Sequence, residues 1–562
     1  PPYHNPLSER ASMTRARLNL CACSLASMAV LLTLTGCLTP ADREPHLQAV
    51  ARWQDQRLAP SDSLRSMLGS EDAHVRLAAV RAAGLIGRDD ILPQVIDALQ
   101  DASLTVRAEA AWALGLIGDP MALPHLNEAA GDVRPQVREA ALAGLAQLEN
   151  DGFALLVAAG HADPNTAALA WNGLRNQATH VDPAALRAAI SKGLNRPEAD
   201  VRWRVLRCAE MLPDPTLVSE LAPFVLSDDA QSVVHAYRAL SSQTGAEVLP
   251  AVLAGFKHHQ DFRGRDRARV IIAGCRALGA AGAVTLQGSA ATDEAQAEFV
   301  AAELITAAGH DNPHVAATAL TAMTALVADL PLPAEAASQE SLLPVWRIRM
   351  ARAARSHLRQ PHVGVRAAAL TALGSLRGAG AASDLQQAID TEMSPQVLAA
   401  GMAAMAAHHP MPGLALSAHC RKTFMSPFAE KSGRAINAMV RSAALTGLND
   451  LRLNRPEAAV APFDSNHIEG KLLTATTDPD FVVSTTAAGL LGTLTSDESL
   501  LALTIMWDRA NGAGRFEIQR GVLAGLSALL TPAAGDSLAP WQGPDDLREE
   551  ARRVLRESFD SV

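Results

Sequence analysis

The sequence has few aromatic residues and lacks the short motifs that usually carry catalysis. Only 4% of its 562 residues are Phe, Trp or Tyr, as expected where Ala and Leu fill the contacts between helices. It contains no Gly-x-Ser-x-Gly nucleophile turn, no His-Glu-x-x-His zinc motif, no Walker loop and no Gly-x-Gly-x-x-Gly turn. We therefore expect no enzymatic activity and no bound cofactor.

Positive charge is also in deficit. The chain has 49 Lys and Arg residues against 59 Asp and Glu residues, which gives a formal net charge of −10 at pH 7. Proteins that bind nucleic acid usually present a basic surface to the phosphates. The charge balance therefore makes nucleic acid a poor candidate for the partner.

Cysteine and histidine are too scattered to predict a disulfide framework or a metal site. Cys208 and Cys275 lie on apolar helical stripes, so we interpret them as small core residues. His310 and His314 are four residues apart, but Asn312-Pro313 between them breaks the helix that would align them. We predict no bound metal.

The feature that organises the sequence is an internal repeat of 31 residues. A fixed period in this range is typical of a solenoid, in which one supersecondary unit is stacked many times. The residues that keep the step are the Val-Arg pairs at 75–76, 106–107 and 137–138, then Asp101, Asp132 and Asp163, and then Val95, Leu126 and Val157.

Each repeat has the pattern of two helices. Val106, Ala110, Leu114 and Ile117 form one apolar stripe at helical spacing. Gly118 suits the left-handed end of that helix, and Asp119-Pro120 suits the start of the next one. No stretch alternates strictly between apolar and polar residues, so no strand is expected. The sequence predicts an all-α fold, a right-handed α-solenoid.

This pattern resembles the HEAT repeat, in the short bacterial form that also occurs in phycobilisome-lyase-type repeats. The residues that carry the resemblance are Asp101, Val106-Arg107, Ala110-Ala111, Ala113-Leu114-Gly115, Ile117-Gly118-Asp119, Ala122-Leu123 and Leu126. The resemblance implies stacked two-helix repeats that offer an extended surface to a protein partner. Later repeats open at Val201, Val233, Val270, Val315, Val365, Val397, Val440, Val482 and Ile518, so we predict that residues 61–562 form the solenoid. We expect longer connections between helices at 284–300, 329–345 and 410–436.

The N-terminal residues resemble the leader of a bacterial lipoprotein. Arg15 and Arg17 precede an apolar run at 18–34, which is typical of a secretory signal peptide. The run ends in a four-residue match to the lipobox, formed by Leu34, Thr35, Gly36 and Cys37. We predict that residues 1–12 are an upstream extension, that 13–36 are the signal peptide, and that 37–60 hold the lipidated Cys37 and a tether.

This resemblance implies attachment to a membrane through acyl chains on Cys37. Two or more acyl chains hold a protein stably to a bilayer, whereas one chain does so only marginally. In such lipoproteins an Asp after the Cys favours the inner membrane, and this chain has Leu38 there. We therefore expect a location in the bacterial cell envelope, at the outer membrane and facing the periplasm.

The Val-Arg pairs allow a structural and a functional interpretation. Arg76, Arg107, Arg138 and Arg202 recur with the repeat and would form a ladder. An Arg and an Asp in every unit can join neighbouring repeats and satisfy loop carbonyls, which is the interpretation we favour. The other interpretation is a row of cations that binds a partner.

A basic stretch surrounds Trp346. Arg347, Arg352, Arg355 and Arg359 would share one broad face if residues 341–359 were helical, and Val345 would then face the core. The four arginines would then be either an ordinary solvated face or a site for an acidic partner or lipid headgroups. We take these residues as the candidate partner-binding site.

We prefer a membrane-anchored scaffold lipoprotein that binds a protein partner in the periplasm. One alternative rests on the resemblance of Asp55-Gln56-Arg57, of residues 64–148 and of 201–204 to lipoproteins in which HEAT-like repeats precede a cyclophilin-type peptidyl-prolyl isomerase domain. No isomerase residue can be transferred to this chain. A bilin lyase or a DNA glycosylase is a third alternative, against which the leader and the acidic charge both count.

Replacing Cys37 tests the predicted lipid attachment. We expect Cys37→Ala to leave the precursor uncleaved by the lipoprotein signal peptidase, because that enzyme cuts immediately before the acylated Cys. Growth with labelled palmitate should label the wild-type chain and leave the variant unlabelled. Undiminished labelling of the variant would refute the assignment.

Overall fold

The structure is a computed structural model of the full chain. The residues it describes are 40–56, 59–87, 89–259, 266–288, 294–328, 330, 343–376, 381–407, 437–454, 465–494, 496–513, 515–530 and 545–560. Within these residues there are 27 α-helices, four short 3-10 helices and no strand. The prediction of an all-α fold is therefore confirmed for the described part of the chain.

The chain divides into two compact units, Pro1–Glu220 and Leu221–Val562. In unit 1 the helices α1, α3, α5, α7, α9 and α11 form one layer, in which each packs directly on the next. The even-numbered helices α2 to α10 form the second layer, and each packs on the first-layer helix that follows it. The helices of this unit are α1 (Pro40–Gln56), α2 (Ser61–Leu68), α3 (Ala73–Ile86), α4 (Leu92–Asp97), α5 (Leu104–Ile117), α6 (Leu123–Ala129), α7 (Pro135–Leu145), α8 (Phe153–Ala159), α9 (Pro164–Asn176), α10 (Pro183–Leu194) and α11 (Ala199–Ala209).

Unit 2 has the same two-layer construction, and the short helix α12 (Val218–Leu221) lies at the division. Its first layer is α13, α15, α17, α19, α21, α22, α24 and α26, and each of these helices packs on the next. The helices are α13 (Ala230–Ser241), α14 (Val248–His259), α15 (Arg267–Gly288), α16 (Glu294–Ala308), α17 (Pro313–Val327), α18 (Val345–Ser356), α19 (Val363–Leu376), α20 (Ala381–Thr391), α21 (Pro395–Ala407), α22 (Ala438–Asn454), α23 (Ser465–Ala475), α24 (Phe481–Leu491), α25 (Asp497–Ala513), α26 (Phe516–Leu530) and α27 (Asp545–Asp560).

Local sequence explains where the helices begin and end. The side chains of Asp72 and Asp163 accept hydrogen bonds from backbone N–H groups at the starts of α3 and α9. Asp119 does the same ahead of α6, through a 3-10 turn that begins at Pro120. Gly118 ends α5 in the left-handed conformation, at φ 81°, as its position in the repeat predicts.

The repeated apolar positions form the core. Val75, Val106 and Val137 are buried, and so are Ala110 and Leu114, which the helical stripe places between adjacent helices. Burying one such large aliphatic side chain contributes roughly 1.5–3 kcal/mol. Hence the period found in the sequence is also the period of the core.

One position departs from the repeat. Val95 and Leu126 are buried, but Val157 is 64% exposed. Gly152, at φ 70°, begins α8 in the left-handed conformation, and this helix buries Leu155, Ala158 and Ala159 instead. The earlier start rotates α8, so that the 31-residue step no longer points Val157 inward.

The predicted tether at 37–60 contains a helix. Helix α1 packs on α3, and Arg43 donates from Nε to the Asp72 carboxylate at 2.7 Å. The same kind of contact, an Arg that reaches an Asp of a following helical pair, is made by Arg76 with Asp101 and by Arg441 with Asp478. Within the described residues, the helix packing of unit 1 therefore starts with α1, inside the segment predicted as the tether.

The long connection predicted at 284–300 is shorter than expected, because α15 continues to Gly288 and α16 begins at Glu294. Helix α15 is long and apolar enough to cross a membrane by length and composition, with a mean hydropathy of 1.4 over 267–286. More than half of that window is buried inside unit 2, as in the core helix of a stacked fold. The predicted connections at 329–345 and 410–436 lie almost entirely outside the described residues.

Glycines bring the first-layer helices into backbone contact. A Cβ atom built on Gly115 of α5 would lie 2.4 Å from Cα of Gly144 on α7. The same close approach joins Gly84 to Ala113, Gly374 to Ala404 and Gly492 to Gly525. No other residue fits such a contact without movement of a helix.

Adding a methyl group at Gly115 should force α5 and α7 apart. We expect Gly115→Ala to destabilise this pair of repeats by about 1–3 kcal/mol, since the added Cβ meets backbone atoms that cannot rotate away. Hydrogen exchange resolved by residue should rise in α5 and α7 and remain unchanged in unit 2.

The matched control is Gly489→Ala in α24, where an added Cβ meets nothing within 4 Å. That change should stabilise its helix by about 0.5–1 kcal/mol, because Ala restricts the unfolded chain more than Gly does. Equal exchange rates in wild type and Gly115→Ala would contradict the close-contact interpretation.

Candidate functional site

The ladder arginines make two kinds of contact with the two edges of the guanidinium group. One edge of Arg76 donates from NH1 to the carbonyls of Ser70 and Glu71, in the loop before its own helix. The other edge donates from Nε and NH2 to both oxygens of Asp101 in the next repeat, at 2.7 and 2.9 Å. Such a two-point contact restrains the relative orientation of neighbouring repeats.

Two arginines in unit 2 make the same two-point contact with a carboxylate of a following repeat. We call each Arg–carboxylate pair a rung of the ladder, and we call the rung closed where the two-point contact forms. Arg366 bonds both oxygens of Glu392 at 2.8 and 3.2 Å, and Arg441 bonds both oxygens of Asp478 at 2.9 and 2.8 Å. Arg366 also donates to the loop carbonyls of Gln360 and Pro361. Glu392 lies 26 residues after Arg366, close to the step from Arg76 to Asp101, so an extended repeat search finds it.

Other rungs are modified. Arg138 donates to the hydroxyl of Thr166, which in turn donates to Asp163, and the Arg138–Asp163 ion pair is longer, at 3.8 Å. Arg107 donates from NH1 to the carbonyls of Asp101 and Ala102, and its other edge bonds no described residue. Asp132 does not close this rung. The repeat in sequence therefore does not guarantee the same ion pair at every step.

The last predicted member of the ladder, Arg202, donates from NH1 to the carbonyls of Arg196 and Pro197. It therefore makes the loop contact that Arg76 and Arg366 make. Contacts of this kind satisfy loop carbonyl oxygens that accept no hydrogen bond within a helix. The common function of these arginines is to hold the loop that precedes their own helix.

The basic helix is rotated relative to the sequence prediction. Arg347, expected in solvent, is only 3% exposed, while Val345, expected in the core, is 64% exposed. Arg347 donates to the carbonyls of Ser375 and Leu376 at the end of α19, at 2.8 and 2.9 Å. Burial is tolerated because the guanidinium satisfies two carbonyls that have no partner within their helix.

The other three predicted residues lie near one another at the far end of α18. Arg352 is exposed on the helix, and Arg355 forms an ion pair with Asp384 of α20. Arg359 is exposed beyond the end of α18 at Ser356, so residues 341–359 are not one continuous helix. Arg352 and Arg359 make no ion pair with a described residue.

A groove of about 850 Å³ opens beside Arg359. It lies between the end of α18 and the start of α19 on one side and α20 and the start of α21 on the other. Buried Leu370 and Val397 form an apolar floor, and Met393 at the rim is 87% exposed. The charged residues that line it are Arg355, Arg359, Arg366, Asp384 and Glu392.

Internal ion pairs neutralise most of this groove. The Arg366 guanidinium holds the pKa of the Glu392 carboxyl below its ordinary value, and Glu392 in turn raises the pKa of Arg366. Asp384 is occupied by Arg355. Arg359 is left as the cation without a partner among the described groove residues, next to an apolar floor and an exposed Met393.

This arrangement is suited to binding and lacks an activated nucleophile. The described thiols lie elsewhere, and burial raises the pKa of both Cys208 and Cys275 to about 12, so both stay protonated at neutral pH. Burial likewise raises the pKa of the Tyr237 phenol, which lies near Cys275 and not in the groove. Within the described part of the chain, no three His, Cys, Asp or Glu side chains are placed to hold a metal ion.

The residues of the predicted leader cannot be placed. Leu34, Thr35, Gly36 and Cys37 lie outside the described residues. Their predicted role rests on the sequence alone.

Comparison with known proteins supports the repeat and the fold. Residues 61–146 match the family model for HEAT repeats. No curated protein matches the sequence. The chain therefore carries HEAT repeats, and the described residues form a helical fold of the solenoid type.

Among solved structures, the fold is similar to Kap95 in the Kap95:Nup1 complex, with a TM-score of 0.55 and 12% identity over 90% of this chain and 74% of that one. It is also similar to yeast importin-beta (Kap95p), with a TM-score of 0.52 and 13% identity over 90% and 72% of the two chains. At such low identity the similarity is one of fold.

The Arg366–Glu392 rung should make the stability of its repeats depend on pH. Because the pKa of Glu392 is lower in the folded chain, its contribution is present above the ordinary carboxyl value of 4.5 and is lost as pH falls through the folded pKa. The protection factors of the amides in α19 and α21, which correct the exchange rates for the intrinsic effect of pH, should therefore decrease as the pH falls below about 4.5.

In Glu392→Gln this decrease in the protection factors should be smaller, because the side-chain amide has no charge to lose. The control is Asp311→Asn, which removes an exposed carboxyl that makes no ion pair with a described residue. An identical pH profile in wild type and Glu392→Gln would show that the rung does not contribute.

Proposed function

We propose that this protein is a non-enzymatic HEAT-repeat scaffold that binds a protein partner through the surfaces between its second-layer helices. The observation that carries the proposal is the groove beside Arg359. Its carboxylates are occupied by arginines of the same repeats, whereas one arginine and one large apolar side chain remain available. A surface of this kind attracts a ligand that carries an anion next to an apolar group.

The ligand we propose for this groove is a polypeptide segment that has an Asp or Glu near an apolar side chain. The carboxylate would pair with Arg359. Arg352 does not line the groove, but it is exposed about one helical turn before Arg355 and adds positive charge near it. The apolar side chain would pack against Met393 and the floor at Leu370 and Val397. The volume of the groove is within the range of about 300–1,000 Å³ that is usual for ligand sites.

We propose further that the chain works at a bacterial membrane facing the periplasm, held there by acyl chains on Cys37. The support for this part is the arginine pair, the apolar run and the lipobox of residues 13–37. An acidic protein exported in this way would meet protein partners and lipid rather than nucleic acid. The outer membrane is our proposed location.

Catalysis is not part of the proposal. The described thiols are buried and protonated, and the two carboxylates that line the groove, Asp384 and Glu392, are engaged by Arg355 and Arg366. Repeat arrays present extended surfaces, and binding is what such surfaces do best.

Short labelled peptides test the binding site directly. We would compare three peptides that have the same leucine residues and are otherwise identical, except that one kind of residue is Glu in the first, Gln in the second and Lys in the third. Fluorescence anisotropy with the purified chain should show the Glu peptide binding more tightly than the Gln peptide at low salt, with the difference shrinking as salt rises.

The double variant Arg352→Glu, Arg359→Glu should bind the Glu peptide about tenfold more weakly, which corresponds to about 1.4 kcal/mol. These two arginines are chosen because neither has a partner among the described residues, so the fold keeps its ion pairs. Arg238→Glu, an exposed site on α13 away from the groove, provides the matched control. Equal binding by the double variant and the control would remove this groove from the proposal.

A further inference from the structure

Unit 1 contains a second groove, of about 690 Å³, at the equivalent place in its repeats. It lies between the end of α4 with the 3-10 turn Ala98–Gln100 on one side and α6 with the start of α7 on the other. The correspondence is by position in the repeat, so that Arg107, Asp132 and Val133 take the places of Arg366, Glu392 and Met393. The same fold therefore offers two related binding surfaces.

The rung at this second groove is open. In Arg76, Arg366 and Arg441 the Nε and NH2 edge binds the carboxylate of the next repeat at both oxygens. The corresponding edge of Arg107 bonds no described residue, although NH1 is held by two loop carbonyls. A guanidinium fixed on one edge and free on the other is an oriented donor pair facing a cavity.

The opposite member of the rung, Asp132, also lacks an arginine side chain as its partner among the described residues. One oxygen of Asp132 accepts a hydrogen bond from the backbone N–H of Arg134, at 2.7 Å, which fixes the turn. Asp132 forms no ion pair with a described side chain. The groove thus presents an arginine donor and a carboxylate acceptor that do not satisfy each other.

The charge of this groove is opposite to that of the first one. Asp97, Glu128 and Asp132 line it against only Arg107 and Arg134. Asp97 and Glu128 are exposed, and none of the three carboxylates makes an ion pair within the part of the chain that the structure describes. In the first groove, by contrast, both carboxylates are paired with arginines of the fold.

An apolar contact is available beside these charges. Val133 at the rim is 85% exposed, while buried Leu99 and Val137 lie along the floor. An exposed valine next to a cavity can cover the apolar side chain of a ligand, which removes surface of both from water.

We infer that this second groove binds an extended peptide segment that carries a Lys or Arg side chain next to an apolar one. A peptide supplies a main-chain carbonyl to accept from the free edge of Arg107, and its basic side chain is attracted to Glu128 and Asp132. The inference rests on the proposed function in taking the chain as a polypeptide binder, and it adds a site with the opposite charge preference. The two grooves would then hold segments of opposite charge.

The three peptides described above also test this site. We expect the Lys peptide to bind the wild-type chain more tightly than the Gln peptide, and to protect residues 125–134 in hydrogen exchange. The double variant Glu128→Gln, Asp132→Asn should bind the Lys peptide about tenfold more weakly and leave the Glu peptide unaffected. Asn keeps the side-chain oxygen that fixes the turn at Arg134, so the variant loses charge and not structure.

Asp119→Asn is the matched control, because Asp119 accepts a hydrogen bond from the backbone N–H of Met121 at an equivalent turn and does not line the groove. This variant should bind the Lys peptide as wild type does. Circular dichroism of both variants should match that of wild type.

Two results would overturn the inference. One is a Lys peptide that binds no more tightly than the Gln peptide, and the other is a double variant that binds the Lys peptide as the Asp119→Asn control does. If the Glu peptide still binds at Arg359 in that case, only the second site is refuted. If neither charged peptide binds, the proposed function is refuted as well.

Discussion

The distance between successive repeats is set by glycine. Where Gly115 faces Gly144, or Gly492 faces Gly525, two first-layer helices meet backbone to backbone, closer than any Cβ would allow. That contact fixes where the loops at the helix ends lie. Only with the loops fixed can a guanidinium on one helix reach the carbonyls of its own loop and the carboxylate of the next repeat together.

In the proposed function, the ladder would link stability to recognition through one guanidinium group. A closed rung, such as Arg366 with Glu392, removes both charges from the surface and leaves a nearby residue, Arg359, to set the sign of the groove. An open rung, such as Arg107 opposite Asp132, leaves donor and acceptor to a ligand. Small changes in a loop can therefore change what a repeat binds while the helices stay where they are.

Much of this fold could be predicted because its signals are local and repeated. The apolar positions Val75, Val106 and Val137, and the left-handed Gly118, follow from the period and from helix capping. The orientation of α18 could not be predicted in the same way. Arg347 is buried because it meets the carbonyls of Ser375 and Leu376, which lie far along the chain, and a charge pattern alone places every arginine in solvent.

The grooves could be predicted only in part, for a similar reason. Glu392 is found by extending the repeat from Arg366, but the same rule pairs Arg107 with Asp132, and that pair does not form. Whether a rung closes depends on whether the guanidinium can reach the carboxylate across the loop. A period in the sequence does not encode that distance. The rotation of α8, which exposes Val157, has a comparable origin in the conformation of Gly152.

Helix α1 has a consequence for how the proposed anchor would act. It begins at Pro40, three residues after Cys37, and its Arg43 is tied to Asp72 of the following repeat. Three extended residues span at most about 10 Å, so acyl chains on Cys37 would hold the first repeats almost in contact with the lipid headgroups. Such a short connection would hold the start of unit 1 close to the bilayer surface and limit how far it could move from it.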